Sequence, residues 1–365
     1  MNLKKLNNLI NKEIRELAPY HLTPEDKRIK LNQNENPFDW PITIKENITK
    51  RILDHPWNRY PDFIPQKLNS LLAEYAGVSS DMIISGNGSN EMLLALFLTL
   101  TNIYKPVIVF QPTFTIYKLL LKGLGRKLHI MNLCNDLSYD VKGVLSLPKE
   151  LKKTVLILSS PNNPTGNSLS ESDLHDILNE FMGFIILDQA YIEFGGFNAI
   201  SLLKDYPNLI ITRTFSKAMG GAGIRLGYLL GTPEIVTQIN KIKLPYNINL
   251  FTQYIASEFL AHKDLIRKNI NLILKQRQIV FNYLKTLPFQ NVYPSDTNFI
   301  LIRTEDKDSL FPYLKENDIL TRDVSSYPML KNCLRIGIGT EEENESLMKT
   351  LSVFYSSQEN QIDFL

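Results

Sequence analysis

The sequence predicts an α/β protein: a large unit built on a mostly parallel sheet with helices on both faces, followed by a smaller α+β unit. Three observations carry this expectation. Short, continuous apolar runs alternate with helix-like stretches through the middle of the chain, which is how strands buried on both faces read. The residues suited to chemistry fall just after those runs, where ligands bind in open α/β sheets. Beyond about residue 245 the texture changes to a long amphipathic stretch and two further apolar runs.

The elements follow in order. "DMIIS" (81–85) reads as a strand leading into a helix from about residue 90. "PVIVF" (106–110) precedes the helical "TFTIYKLLLKGLG", and "TVLILSS" (154–160) precedes "LSESDLHDILNEF". "FIILD" (184–188) and "LIITRT" (209–214) complete the set, and His129 in "KLHIMNL" is expected in a strand. In the second unit, Ile266, Ile270, Ile273, Val280 and Leu284 share one face of a long helix. "NFILIRT" (298–304) and "CLRIGIG" (333–339) read as its strands. The expected division is an N-terminal arm (1–40) packed on the small unit, a large unit (41–250) and a small unit (251–365).

Composition narrows the class. A chain of 365 residues, 44% hydrophobic and 21% charged, has the make-up of an ordinary globular protein and the length for a large core. Forty basic against 38 acidic residues give a net charge of +2, so no basic field for nucleic acid is expected. Cys134 and Cys333 make neither a metal-spaced pair nor a disulfide framework, which points to a reduced compartment. The start, "MNLKKLNNLINKEIREL", lacks the apolar core of a secretory signal. The most apolar run, "MLLALFLTL" (92–100), is too short to span a membrane, and a cytoplasmic protein is expected. His21, His55, His129, His175 and His262 are scattered without ligand spacing, so no metal site is expected.

Five stretches carry candidate chemistry. In "SGNGSNEM" (85–92), glycines permit a tight turn before Ser89 and Asn90 open a helix. A helix N-terminus there would hold a phosphate, although a plain strand-to-helix turn reads equally well. A dinucleotide site fits poorly: the third glycine of the fingerprint is a glutamate, and no acidic residue follows before Asn132. "PNNPTG" (161–166) fixes Asn163 in a rigid loop, where its amide can donate to a phenolate-like oxygen. "LDQAY" (187–191) ends an apolar strand on Asp188, costly there without a cation, and places Tyr191 three residues on. Taken alone, that aspartate reads first as a helix cap.

"TFSKAMGGAGIRLGY" (214–228) sets Lys217 among Thr214, Ser216 and Arg225, all anion-binding types, with glycines between. A surface lysine is the plain alternative, but a desolvated lysine beside positive charge becomes a nucleophile. In "LRIGIGT", Arg335 sits in an apolar strand and requires an anion. Pyridoxal phosphate needs these parts together: an imine-forming lysine, a carboxylate at the pyridine nitrogen, donors to the ring oxygen and a phosphate cup.

In order along the chain, "LNQNENP", "NRYPD", "PTFTIY", "PNNPTG", "DQAY", "TFSKAMGGAGIRLGY", "LPYNIN", "PSDTNFILIR", "TRDVSSYP" and "CLRIGIGT" resemble the fold-type I, class II pyridoxal-phosphate-dependent aminotransferases. Within these, the arm motif "LNQNENP", "RYPD", "PYNIN" and "TRDVSSYP" resemble the histidinol-phosphate aminotransferases. The resemblance implies a fold-type I architecture and a homodimer with shared active sites. It also implies transamination between L-histidinol phosphate and glutamate/2-oxoglutarate, in histidine biosynthesis. An aromatic aminotransferase or a threonine-phosphate decarboxylase on the same scaffold is the alternative.

By position, the resemblance makes Lys217 the lysine that binds pyridoxal phosphate and Asp188 the partner of its ring nitrogen. Tyr191 and Asn163 become donors to the ring oxygen, and Phe114 the stacking aromatic. Ser89, Asn90, Thr214, Ser216 and Arg225 become the phosphate cup, with Tyr60 reaching it from the neighbouring subunit. Arg335 matches the carboxylate-binding arginine; Tyr20, Asn247 and Arg322 fall where substrate phosphate or imidazole is expected. Two departures stand out: the family usually has tyrosine at Phe114 and glutamate at Gln189.

Overall fold

A computed structural model describes residues 6–18 and 29–362, the last five of them by backbone alone. Tyr20 lies outside the described residues.

Thirteen strands are described. A two-residue strand, β1 (Ile29–Lys30), precedes the large sheet. That sheet contains β2 (Ile83–Asn87), β3 (Val107–Gln111), β4 (Leu128–Asn132), β5 (Val155–Ser159), β6 (Phe184–Asp188), β7 (Leu209–Thr214) and β8 (Leu226–Leu230). Its order is β2-β8-β7-β6-β5-β3-β4. Strands β4, β3, β5, β6 and β7 run parallel, and β8 runs antiparallel to both its neighbours. The sheet is therefore mixed but mostly parallel. Strands β5 and β7 are buried at every position, which accounts for their unbroken apolar reading.

The expected strands are present, His129 included, with ends shifted by a residue or two; residues 80–82 form a short 3-10 turn before β2. The addition is β8. Its "LGYLL" follows the glycine-rich stretch without a helix between, and direction cannot be read from an apolar pentapeptide. Gly227 opposes Thr214 of β7 and Gly86 of β2. A Cβ there would come within 2.2 Å of the Ser89 nitrogen, so only glycine lets β8 pass the start of the next helix.

The second sheet is antiparallel, in the order β12-β13-β10-β9, with β9 at Asn291–Tyr293, β10 at Phe299–Arg303, β12 at Arg322–Asp323 and β13 at Cys333–Gly337. The long helix Lys263–Leu284 buries Ile266, Ile273, Val280 and Leu284; Ile270 is partly buried. Helix Leu250–Ala261 packs against helices Ile42–Leu53 and Gln66–Ala76.

The arm touches both units. Strand β1 pairs in parallel with β11 (Ile319–Leu320), and Gly337 N–H donates to the Leu31 carbonyl. Farther upstream, Lys12–Arg15 packs on helix Thr115–Gly123 of the large unit, with Ile14 and Leu17 lying over Gly123. Among the described residues, no helix is long and apolar enough to cross a membrane, and no cluster of His, Cys, Asp and Glu could hold a metal.

Candidate active site

The parallel strands end along one edge of the large sheet, and β8, running the other way, begins there. Helix Ser89–Leu100 follows β2, Phe114 precedes helix Thr115–Gly123 after β3, and Asn163 follows β5. Asp188 and Thr214 are the last residues of β6 and β7, and Arg225 immediately precedes β8. Side chains distant in sequence thus meet at one cavity of about 400 Å³.

At one end lies an anion cradle. Ser89 and Asn90 open a helix whose first N–H groups point outward. The Thr214 hydroxyl donates to Ser216 Oγ at 3.1 Å, and Arg225 Nη1 donates to the same oxygen at 3.2 Å. Gly88, at φ 79°, lets the guanidinium close in: a Cβ there would lie 2.6 Å from Arg225 Nη2. Arg225 itself has a positive φ of 54°, a strained conformation for a long side chain that the surroundings must hold.

At the other end is Asp188, only 4% exposed. It accepts from Tyr117 Oη at 2.5 Å and from the Ala190 N–H at 3.1 Å. Burial pushes its carboxyl above the ordinary range and the Tyr117 hydrogen bond opposes that shift; among the described residues, no cation contributes. Asp188 is not a helix cap, because the following 3-10 turn starts from Tyr191 without a side-chain cap. A buried carboxylate without a cation is a socket for a protonated ring nitrogen.

Lys217 stands between the two ends. Its tip opens into the cavity, so the residue is only half-buried. Surrounding protein still lowers its pKa to about 7, through desolvation first and the charge of Arg335 second. Nζ donates to the Gln33 carbonyl at 2.8 Å and lies 5.8 Å from the Tyr191 ring centre. The Tyr191 hydroxyl accepts from Asn34 Nδ2 at 2.9 Å. Asn163 Oδ1 accepts from Arg335 Nη1, which turns its Nδ2 into the donating end.

The far wall comes from the small sheet and the arm. Arg322 and Arg335 are directly opposite on β12 and β13, and both line the cavity. Arg335 Nη2 also donates to the Asn32 carbonyl at 2.7 Å, and its guanidinium lies 5.2 Å from the Phe299 ring centre. Like charges facing each other across strands are destabilising, and an anion between them removes the cost.

Of the residues singled out from sequence, Ser89, Asn90, Phe114, Asn163, Asp188, Tyr191, Thr214, Ser216, Lys217, Arg225, Arg322 and Arg335 line this cavity. Tyr60 does not; it is 80% exposed on the surface. Asn247 does not line it either. Its amide is spent on Glu91 and the Ser85 carbonyl, and its oxygen on Lys243. Sequence reasoning missed Tyr117 as the hydrogen-bond partner of Asp188. It also missed Asn32, Gln33 and Asn34, which line the cavity from the arm. These four lie in "PTFTIY" and "LNQNENP", so the signal was present without a role attached.

The departure at Gln189 has a local solution. Its Nε2 donates to the Phe197 carbonyl at 2.8 Å, and its Oε1 accepts from Arg213 Nη2 at 3.1 Å. Arg213 also donates to Asn198 Oδ1 at 2.7 Å. A neutral amide thus serves the buried guanidinium, while burial raises the pKa of nearby Glu193 against the opposing charge of Arg213.

The constellation is that of an enzyme that handles an amine at a phosphate-anchored aromatic cofactor. The chain belongs to the aminotransferase class I and II family, whose model matches residues 26–351, and pyridoxal phosphate is the cofactor of that family. It is 35% identical over 350 residues to a histidinol-phosphate aminotransferase of Chlorobium limicola, covering 95% of this chain and 99% of that one. A second, from Chlorobaculum tepidum, is 35% identical over 328 residues, covering 90% and 94%. Among solved structures, the histidinol-phosphate aminotransferase of Sinorhizobium meliloti in complex with pyridoxal-5'-phosphate superposes with a TM-score of 0.84 at 22% identity, covering 95% and 98%. The L-threonine-O-3-phosphate decarboxylase of Porphyromonas gingivalis gives 0.77 at 21% identity, covering 90% and 100%. These two establish the fold: fold-type I.

Proposed function

We propose that the chain catalyses pyridoxal-phosphate-dependent transamination between L-histidinol phosphate and 2-oxoglutarate, giving imidazole acetol phosphate and glutamate in histidine biosynthesis. The carrying observation is the facing pair Arg322 and Arg335, which line the same cavity as Lys217. Histidinol phosphate has no carboxylate, so its phosphate must carry recognition, and glutamate presents a carboxylate to the same wall. The relatives' shared name supports the substrate.

The residues present fit pyridoxal phosphate. Ser89, Asn90, Thr214, Ser216 and Arg225 would hold its phosphate, Phe114 would stack on its ring, and Tyr191 and Asn163 would face its ring oxygen. When bound, the cofactor supplies an electron sink for the pair left at the substrate Cα. Asp188 would keep the ring nitrogen protonated, and its burial would strengthen that contact. Lys217 would hold the cofactor through its aldehyde carbon, and its amine would be the group placed to accept and return a proton at the substrate Cα. A pKa near 7 leaves it partly neutral at physiological pH and able to do both.

The same reading includes a cytoplasmic homodimer with shared sites. Tyr60, Trp57 and Phe63 are exposed aromatics on one segment, beside an apolar groove lined by Trp57, Ile224 and Phe251. An interface would cover such a surface, and Tyr60 would then reach the partner's cofactor phosphate. The division into 1–40, 41–250 and 251–365 also belongs to this reading, with Tyr20 among the substrate contacts.

The test is single-turnover kcat/KM for each half-reaction. Arg322→Ala is expected to weaken histidinol phosphate at least about tenfold more than glutamate, as loss of a charge-assisted contact implies. Equal losses would show that Arg322 does not read the phosphate. No turnover of histidinol phosphate by the unaltered protein would reject this substrate and favour an aromatic aminotransferase or a threonine-phosphate decarboxylase.

A further inference from the structure

Asn247 does not line the cavity and is bonded to the turn that precedes the phosphate cradle. Its Nδ2 donates to the two Glu91 carboxylate oxygens at 3.2 and 3.0 Å and to the Ser85 carbonyl at 3.4 Å. Its Oδ1 accepts from Lys243 Nζ at 2.7 Å. Glu91 lies in the first turn of helix Ser89–Leu100, two residues after Ser89, and its carboxylate also accepts the Asn87 N–H. One carboxylate therefore ties the turn that aims Ser89 and Asn90 to the segment carrying Asn247.

The residue before Asn247 points outward. Tyr246 has a φ of 54°, a left-handed conformation that a bulky residue keeps only where its neighbours hold it. Its ring stacks on Tyr60 with centres 4.6 Å apart and planes 24° apart. Phe63 also meets the Tyr246 ring, edge-on at 5.4 Å. Tyr60 is otherwise 80% exposed, so the Tyr246 ring is a platform that orients it.

We propose that Asn247 is a positioning residue that couples the phosphate cradle of one protomer to the tyrosine that protomer lends to its partner. This rests on the shared-site homodimer proposed above. A side chain serving a site across an interface needs its direction fixed within its own subunit. Here the chain of contacts runs Glu91, Asn247, Tyr246, Tyr60. Each link is a hydrogen bond, a peptide bond or a ring stack. Cofactor binding in one site therefore depends on Asn247 of the neighbouring subunit.

The experiment uses a hybrid dimer purified through two different tags. One subunit carries Lys217→Ala and keeps Tyr60; the other carries Tyr60→Ala and keeps Lys217. Only one site is then complete, and it borrows Tyr60 from the Lys217→Ala subunit. Asn247→Ala is added to that lending subunit, whose own site is dead. The expected result is a roughly three- to tenfold rise in the pyridoxal phosphate concentration giving half-maximal turnover, the size of one lost ordinary hydrogen bond, because the Glu91 contact acts on the cofactor only through Tyr246 and Tyr60. The KM for glutamate should stay unchanged. If the alanine variant does not assemble, Asn247→Asp, with the same shape but repelled by Glu91, repeats the test with the same expected sign. Unchanged cofactor dependence with either variant overturns the coupling. An inactive hybrid before Asn247 is touched overturns the shared site instead.

Discussion

The two walls of the cavity are built differently. The wall proposed to hold the cofactor is laid along one sheet edge: Asp188, Thr214 and Arg225 stand at the ends of adjacent strands. Its geometry is fixed by main-chain pairing, and its electrostatics by burial. The wall proposed to meet the substrate is assembled from Arg322 and Arg335 on a second sheet and from Asn32, Gln33 and Asn34 on the N-terminal segment. It is held by side-chain contacts such as Arg335 to Asn163 and to the Asn32 carbonyl. A rigid wall suits a cofactor that never changes, and a composite wall suits two different substrates in turn.

The contrast can be broken by mutation. A change in the cofactor wall should damage both half-reactions alike, whereas a change in the substrate wall should split them, as Arg322→Ala is expected to do. The largest loss is expected for Lys217→Ala: on the order of 10³-fold or more in both half-reactions, by removal of the proton-transfer group. Circular dichroism should show the fold retained. Borohydride reduction that fixes the cofactor on a different lysine would refute the assignment.

Asp188→Asn comes next, because an amide cannot hold the ring proton. A drop of about 10²- to 10³-fold in the rate of Cα–H exchange is expected, with cofactor still bound. A near-normal exchange rate would mean that the aspartate is merely structural. Smaller still is Tyr117→Phe, which removes the 2.5 Å donor to Asp188 and lets the carboxyl pKa rise further. About a tenfold loss of kcat/KM with both substrates is expected; a loss confined to one substrate would place Tyr117 on the wrong wall.

The mildest test is a pH profile that joins the walls. Only the neutral amine attacks an aldehyde, so a lysine with a lowered pKa reaches full reactivity early. Imine formation between the apoprotein and pyridoxal phosphate should rise through pH 7 and level off above it, since the Lys217 pKa is lowered to about 7. An unshifted lysine would keep gaining towards 10.5. Arg335 is the second cause of that lowering, so Arg335→Met should move the midpoint upward. A midpoint that stays put would mean that the substrate wall does not reach the lysine electrostatically.

Much of the cavity lining along the sheet edge was legible in the sequence, for a local reason. A strand buried on both faces announces itself as an unbroken apolar run, and the residue after the run lands on the binding edge. Thus "FIILD" delivered Asp188 and "LIITRT" delivered Thr214. Strand β8 was not legible, because its glycine is dictated by the Ser89 nitrogen, a neighbour remote in sequence. Tyr117 was hidden for the same reason: within a helix its ring reads as core, and only the fold brings its hydroxyl to Asp188. Asn247 shows the converse, since a motif residue took its hydrogen bonds from Glu91 and Lys243 rather than from the cavity.

By itself the sequence determined the alternation of elements, the chemical types available and the edge on which they would gather, because periodicity and strand ends are short-range properties. Only the tertiary structure decided which cations face each other, which carboxylate is buried without a cation and how far the Lys217 pKa falls. Those depend on distances of a few ångströms between segments far apart in the chain, and desolvation and Coulomb energy are set by distance and surroundings, not by order in sequence.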